Sequence, residues 1–371
     1  MIPQSNPGAS YLAYKDEIDS AIQRVLTSGW YILGQEVESF EKEFAAYIGV
    51  EHAIGVANGT DALELALRAC GVEAGDSVIT VSHTAVATAS AISRIGAKPI
   101  FVDIDEDFLI SSSGLKEVLK MSSSIRPKAI IVVHLYGQPA DMPSLVELAN
   151  EYGMVVIEDC AQAHGALLHN RRVGSWGGIG CFSFYPTKNL GALGDGGAVV
   201  TDDSKLADKV TMLRQYGWRQ RYISDEKGLN SRLDELQAAV LRVKLRGLDM
   251  ANQKRREIAS CYRHKLEGSS IISPQEKPVC NHVYHQFVIQ STQRDLLAMK
   301  LMNSGVATAI HYPAAVHQQP AYSNNKYCPM QLLVTERIVS QILSLPIFPE
   351  MPIRDACYVA DAILNAQNEF S

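Results

Sequence analysis

From about residue 52 short apolar runs alternate with longer amphipathic stretches. Val78-Ile79-Thr80-Val81, Ile100-Phe101-Val102-Asp103, Ala129-Ile130-Ile131-Val132-Val133 and Met154-Val155-Val156-Ile157 are β-branched or apolar almost throughout, which predicts strands. Helical patterns at about 60–70, 85–95, 113–121 and 143–152 lie between them. Gly71, Gly96 and Gly153 close three of these as left-handed caps. Continuous apolar strands separated by helices read as a parallel sheet buried on both faces. Two helices, at about 15–27 and 36–48, precede the sheet. After it comes a glycine-rich stretch, about 171–201, with strands at 180–185 and 197–201. Helices follow near 204–214 and 231–248, the second with apolar residues at 233, 236, 240 and 243 on one face. The last third carries helices near 251–266, 293–303, 332–343 and 355–366 around strands at 283–289 and 306–310. The pattern predicts an α/β protein with a large doubly wound sheet domain over 1–248 and a smaller C-terminal α/β domain over 249–371.

Composition narrows the function. The 371 residues include 34 Lys plus Arg against 40 Asp plus Glu, a formal charge of −6. That length and 47% hydrophobic residues support a sizeable core. The mild acidity and absence of a basic block argue against a nucleic-acid partner, since Lys254-Arg255-Arg256 sits beside Glu257 in a helical pattern. The first residues lack a basic and apolar leader, and no apolar run reaches the roughly 18 residues a membrane span requires. Seven scattered cysteines without Cys-x-x-Cys suggest neither a disulfide framework nor a thiolate metal site. A soluble cytoplasmic protein is expected.

Chemistry concentrates between residues 57 and 191. Asp159 stands at the carboxyl end of a buried parallel strand, where doubly wound sheets bind ligands. Lys188 follows 29 residues later between Pro186 and Gly191, far from any amphipathic face. Pyridoxal 5′-phosphate needs this pair: a lysine for its Schiff base, and an acid that keeps its ring nitrogen protonated. Ala57-Asn58-Gly59-Thr60-Asp61-Ala62 offers a glycine and free helix-start amides for a compact phosphate, to which the Ser183 hydroxyl adds a donor.

The chain resembles the DegT/DnrJ/EryC1/StrS family of pyridoxal-phosphate sugar aminotransferases. The matching segments are Ser28 to Gly34, Ala57 to Ala62, Glu158 to Ala166, Phe182 to Gly197, Asn230 to Ala239, His311-Tyr312-Pro313 and His317 to Tyr322. The resemblance implies a fold-type I, aspartate-aminotransferase-like architecture with a mixed sheet. It further implies that Lys188 bonds to the cofactor, Asp159 pairs with the pyridinium nitrogen, and Gln162 lies near the ring hydroxyl. Gly59, Thr60 and Ser183 would hold the phosphate, and Asn230 would reach it from the second subunit of a homodimer. A lysine at 188, where dehydratase members carry histidine, favours amino transfer. Many members place a ring-stacking aromatic where this chain has Ala85, so His83 is expected to stack instead.

Ser82 to Thr88 and His282-Val283-Tyr284-His285 look more like members acting on a 3-keto sugar than those acting at C4. The expected reaction is transfer from L-glutamate to a nucleotide-linked, dTDP-type 3-keto-6-deoxyhexose, with pyridoxamine 5′-phosphate as the intermediate cofactor form. Tyr31, Arg219, His311, Tyr312 and His317 are candidate substrate contacts. The alternatives are a C4 keto-sugar or cyclitol aminotransferase, or a non-catalytic regulator that keeps the cofactor pocket. No metal site is expected. Phe108 and Gly114 break the calcium-loop pattern begun by Asp103, Asp105 and Asp107, and His282 and His285 would face opposite sides of a strand.

Overall fold

A computed structural model describes residues 1–121, 126–323 and 327–368. Its centre is a seven-stranded sheet of β1 (His52–Val56), β2 (Ser77–Val81), β3 (Lys98–Val102), β4 (Pro127–Val133), β5 (Val155–Asp159), β8 (Ile179–Ser183) and β9 (Gly197–Thr201). Between β5 and β8 lie the short pair β6 (Leu167–Leu168) and β7 (Arg171–Arg172). The order is β1-β9-β8-β5-β4-β2-β3, and only β9 runs against its neighbours. Side-chain alternation gives the sheet two cores. Val78, Ala129, Ile131 and Ile157 face α4 (Gly59–Ala69), α5 (Val86–Arg94) and α8 (Ser204–Leu213). Ile79, Val81, Ile130 and Val132 face α6 (Ser112–Met121) and α7 (Met142–Glu151).

The N-terminal helices α1 (Pro7–Ala13), α2 (Lys15–Ser28) and α3 (Gln35–Ile48) pack near α9 (Glu235–Leu245), with Phe40 and Phe44 edge-on to Phe184 in a third core. Glu235 fixes where α3 starts. Its carboxylate accepts from the amides of Gly34, Glu36 and Val37 at 2.7–2.9 Å, satisfying donors that a helix start leaves open.

A separate core gathers α10 (Leu248–Leu266), α11 (Arg294–Asn303), α13 (Ile353–Asn368) and the antiparallel pair β13 (Phe287–Gln290) and β14 (Ile342–Leu345). The helix α10 serves both cores, Leu248 in the large unit and Ile258, Tyr262 and Leu266 in the small one. The chain start joins the small unit too, because Ile2 bridges Val306. A short hairpin of β10 (Trp218–Gln220) and β11 (Ile223–Ser224) projects before α9, and β12 (Cys280–Asn281) pairs with β6.

Four sequence expectations are corrected. The helix expected over 231–248 begins only at Glu235, because Asn230 and Ser231 are held extended against Gln215 and Ala57. The helix expected over 332–343 is α12 (Leu333–Val339), after which the chain extends into β14 to pair with β13. Residues 306–310 form only isolated bridges at Val306 and Ala309. The strand expected over 283–289 starts at Phe287, because Tyr284 has φ 43° and stacks flat on His282, with ring centroids 3.9 Å apart. The helix α1 and the strand β1 were not expected at all.

Candidate active site

A cleft of about 480 Å³ opens where the carboxyl ends of β1, β2, β4, β5 and β8 meet, as open α/β sheets dictate. Glu158 and Asp159 end β5 and point to opposite sides. The Glu158 carboxylate is wholly buried and accepts from the amides of Gly174, Trp176 and Gly177 and from His134 Nε2, at 2.7–3.0 Å. That is a structural knot. Asp159 lines the cleft, where Thr88 Oγ1 donates to its Oδ2 at 2.9 Å and the Ala161 amide to its Oδ1 at 3.2 Å. Burial pushes its carboxyl above the ordinary range, and the Thr88 hydroxyl and the Lys188 ammonium oppose that push.

Across the cleft, Asn58 caps α4 by accepting from the Asp61 amide at 2.8 Å. The amides of Gly59 and Thr60, in the first turn, have no intrahelical acceptor and favour an anion. A Cβ on Gly59 would lie 2.6 Å from the Ser183 Cβ, so only glycine lets α4 approach that hydroxyl. Lys188 sits in the turn after β8, where its amide donates to the Tyr185 carbonyl at 2.8 Å. Asn189 pins this turn to α10 and to the segment before β13 by donating to Asn252 Oδ1 at 2.8 Å and to the Val283 carbonyl at 3.0 Å. Desolvation lowers the Lys188 amine to about 8, with Asp159 pulling the other way.

Gln162 and Tyr312 join this group. Gln162 Oε1 accepts from the Tyr136 amide at 2.7 Å, and its Nε2 donates to the Tyr312 hydroxyl at 3.1 Å. The His311 carbonyl accepts from the Tyr136 hydroxyl, and His311 Nδ1 meets Ser344 Oγ at 2.8 Å. Burial and the Lys188 charge lower the His311 imidazole.

Other predicted residues stand elsewhere. His83 is buried outside the cleft lining, its Nε2 2.9 Å from the Tyr136 hydroxyl and its ring against Phe108, while Thr84 and Ala85 form the cleft wall. It fixes Tyr136 instead of offering a face to a ring. His317 bonds Ser82 Oγ through Nδ1 at 2.7 Å and Glu336 through Nε2 at 3.2 Å, away from this cleft. Asn230 is exposed and lies outside its own chain's cleft. Tyr31 is 49% exposed, and Arg219 is exposed on the β10–β11 hairpin beside Asp225.

Sequence reasoning missed Thr88 and Tyr136. Each is an ordinary residue until its long-range partner is known, although Tyr136 holds φ 58°, uncommon for a bulky side chain. His134, Glu158 and Cys160 cluster closely enough to suggest a metal. The Glu158 contacts above occupy that carboxylate, and His134 Nδ1 accepts from the Ala140 amide at 3.0 Å, so the cluster is already hydrogen-bonded. His282 and His285 also stay apart in their bonding, to Tyr284 and Asn189.

The cleft thus sets an anion seat at a helix start, a buried carboxylate with no cation at hydrogen-bond distance among the described residues, and an amine of reduced basicity around one space. A phosphorylated pyridine aldehyde meets all three. The DegT/DnrJ/EryC1/StrS aminotransferase family matches residues 13–364. The chain is 46% identical to a dTDP-3-amino-3,4,6-trideoxy-alpha-D-glucose transaminase of Streptomyces venezuelae, over 98% of this chain and 95% of that protein. It is 46% identical to a dTDP-3-amino-3,6-dideoxy-alpha-D-galactopyranose transaminase of Aneurinibacillus thermoaerophilus, covering 98% and 99%. A UDP-N-acetyl-3-dehydro-alpha-D-glucosamine 3-aminotransferase of Acidithiobacillus ferrooxidans is 44% identical, covering 98% and 97%. The crystal structure of S. venezuelae DesV in complex with a ketimine intermediate superposes with a TM-score of 0.94 at 45% identity, covering 98% of each chain. Profile, relatives and fold agree with the cleft chemistry: the chain belongs to the DegT/DnrJ/EryC1/StrS family and is a pyridoxal-phosphate-dependent aminotransferase acting in nucleotide-sugar metabolism.

Proposed function

We propose that the enzyme transfers the amino group of L-glutamate to the C3 ketone of a dTDP-linked 3-keto-6-deoxyhexose, giving a 3-amino-3,6-dideoxy sugar nucleotide. One observation carries this reading: three full-length relatives are named for nitrogen at C3, although they differ in nucleotide and in the rest of the sugar. The two at 46% identity carry dTDP in their names.

Bound pyridoxal 5′-phosphate supplies an electrophilic carbon for the amine and a sink for the electron pair left when the Cα proton departs. Gly59 and Thr60 amides and the Ser183 hydroxyl would hold its phosphate, Asp159 its ring nitrogen, Gln162 the neighbourhood of its ring hydroxyl, and Lys188 its aldehyde carbon. Thr88 keeps the Asp159 carboxylate oriented and anionic. With a pKa near 8, Lys188 Nζ both accepts and returns a proton near neutral pH, at the donor Cα in one direction and at the sugar carbon in the other. Tyr312 and His311, tied to Gln162 and Tyr136, would border the sugar.

The nucleotide we assign to exposed groups outside the cleft. The hairpin sets Trp218 and Tyr222 side by side with Arg219 and Arg221, aromatic faces for a base and cations for a diphosphate. A homodimer would bring this hairpin, Tyr31 and Asn230 to the partner's cleft. To test the reading, the enzyme is charged with glutamate, freed of it, and mixed with a dTDP-3-keto sugar, a dTDP-4-keto sugar or a keto-cyclitol. Return of the aldehyde absorbance with the 3-keto sugar alone is expected. Recovery with the 4-keto sugar or the cyclitol instead overturns the regiochemistry.

A further inference from the structure

Two cysteines 96 residues apart in the chain meet on facing helices of the small unit. Cys261 lies in α10 and Cys357 in α13, and their sulfurs are 3.3 Å apart. One helical turn further along both helices, Lys265 Nζ reaches Asp361 Oδ1 at 2.6 Å. Two contacts advancing in step, 261 with 357 and 265 with 361, show that the helices run parallel and that the facing register is fixed at both points. Neither thiol is fully buried, so a dissolved reagent has access.

We propose that Cys261 and Cys357 form a reversible disulfide site that staples α13 to α10 when a small-molecule disulfide is available as oxidant. The Cys357 sulfur attacks one sulfur of oxidised glutathione and releases one glutathione thiolate. The Cys261 sulfur then attacks the Cys357 sulfur of that mixed disulfide and releases the second. Two protein thiols are oxidised, one glutathione disulfide is reduced, and the two thiol protons end on the two glutathiones. Burial and the adjoining thiol push Cys261 up to about 11, whereas the Lys265 ammonium favours its thiolate. The second step is made intramolecular by the contact already present.

The staple acts at a distance from the chemistry. Helix α10 extends back to Asn252, which donates to the His164 carbonyl at 2.8 Å and accepts from Asn189, the neighbour of Lys188. Oxidation therefore ties the C-terminal helix to the element that braces the lysine turn, and shortens the free chain of the unfolded state.

The holoenzyme is equilibrated with oxidised glutathione, its remaining thiols are alkylated, and the digest is mapped without reduction. A Cys261–Cys357 cross-linked peptide pair that dithiothreitol reverses is expected, together with a rise of several degrees in the thermal midpoint. Cys357→Ser and Cys261→Ser, which keep the parent transamination rate, show no such rise. Glutathione adducts without the cross-link, two unreacted thiols, or a cross-link with an unchanged midpoint overturn the proposal.

Discussion

At the scale of single residues, Asp159 sets the terms, because a carboxylate at the end of a buried strand is costly unless something compensates it. The Thr88 hydroxyl and the Ala161 amide are the compensation present in the chain, and in the proposed role a pyridinium N–H would complete it. Asp159→Asn should keep the cofactor and lose orders of magnitude in turnover; full activity would contradict the pyridinium role. Thr88→Val removes one hydrogen bond to a charge, about 1.5–3 kcal/mol, so turnover should fall roughly ten- to a hundredfold with KM for glutamate little changed. The Lys188 amine, held near 8 instead of its ordinary 10.5, gives a pH prediction. Capture of added pyridoxal phosphate by apoprotein needs the uncharged amine, so its rate should climb with pH and level off above about 8. A rate still rising tenfold per unit beyond pH 9 would contradict that placement. Asp159, Lys188 and Gly59 each have an ordinary reading alone, as a cap, a surface lysine and a turn, and it was their order and spacing that singled them out; the structure brings all three to one cleft. Thr88 and Tyr136 were not, since their partners Asp159 and His311 are 71 and 175 residues away.

At the scale of elements, what the sequence revealed was decided by whether a segment is governed by its own pattern. The parallel strands β2 to β5 are apolar on both faces and were predicted to within two residues at each end, with β2, β3 and β4 each starting one or two residues earlier than expected. The start of β14 falls within the helix expected over 332–343, because Ile342-Leu343-Ser344-Leu345 extends only in response to β13 across from it. The start of α4 couples fold to function through one side chain. Asn58→Ala removes the cap, which costs about 1 kcal/mol of stability, and loosens the turn whose amides would face the phosphate. Equilibrium dialysis should show weaker cofactor binding for this variant with the far-ultraviolet spectrum preserved. Unchanged affinity would separate the cap from the anion seat.

For the whole molecule, several buried histidines make stability depend on pH. Desolvation lowers His83 to about 4 and His164 and His282 to about 3, while an unfolded chain titrates them near 6.5. Between those values the unfolded state binds more protons, so this contribution is complete above about 6.5 and is lost as pH falls toward 4 and 3. The thermal midpoint should already drop between pH 7 and 5, and a flat profile there would contradict neutral burial. The proposed shared-site dimer has its own test. A mixed dimer of Lys188→Ala and Asn230→Ala chains should regain one intact site if Asn230 serves its neighbour, and gain nothing if it serves its own chain. The proposed chemistry hangs on the turn after β8, where the Lys188 amine would carry the cofactor. Freshly purified yellow enzyme is reduced with borohydride, digested and mapped: a pyridoxyl group on Lys188 is predicted, and a label on any other lysine, or none at 188, contradicts it.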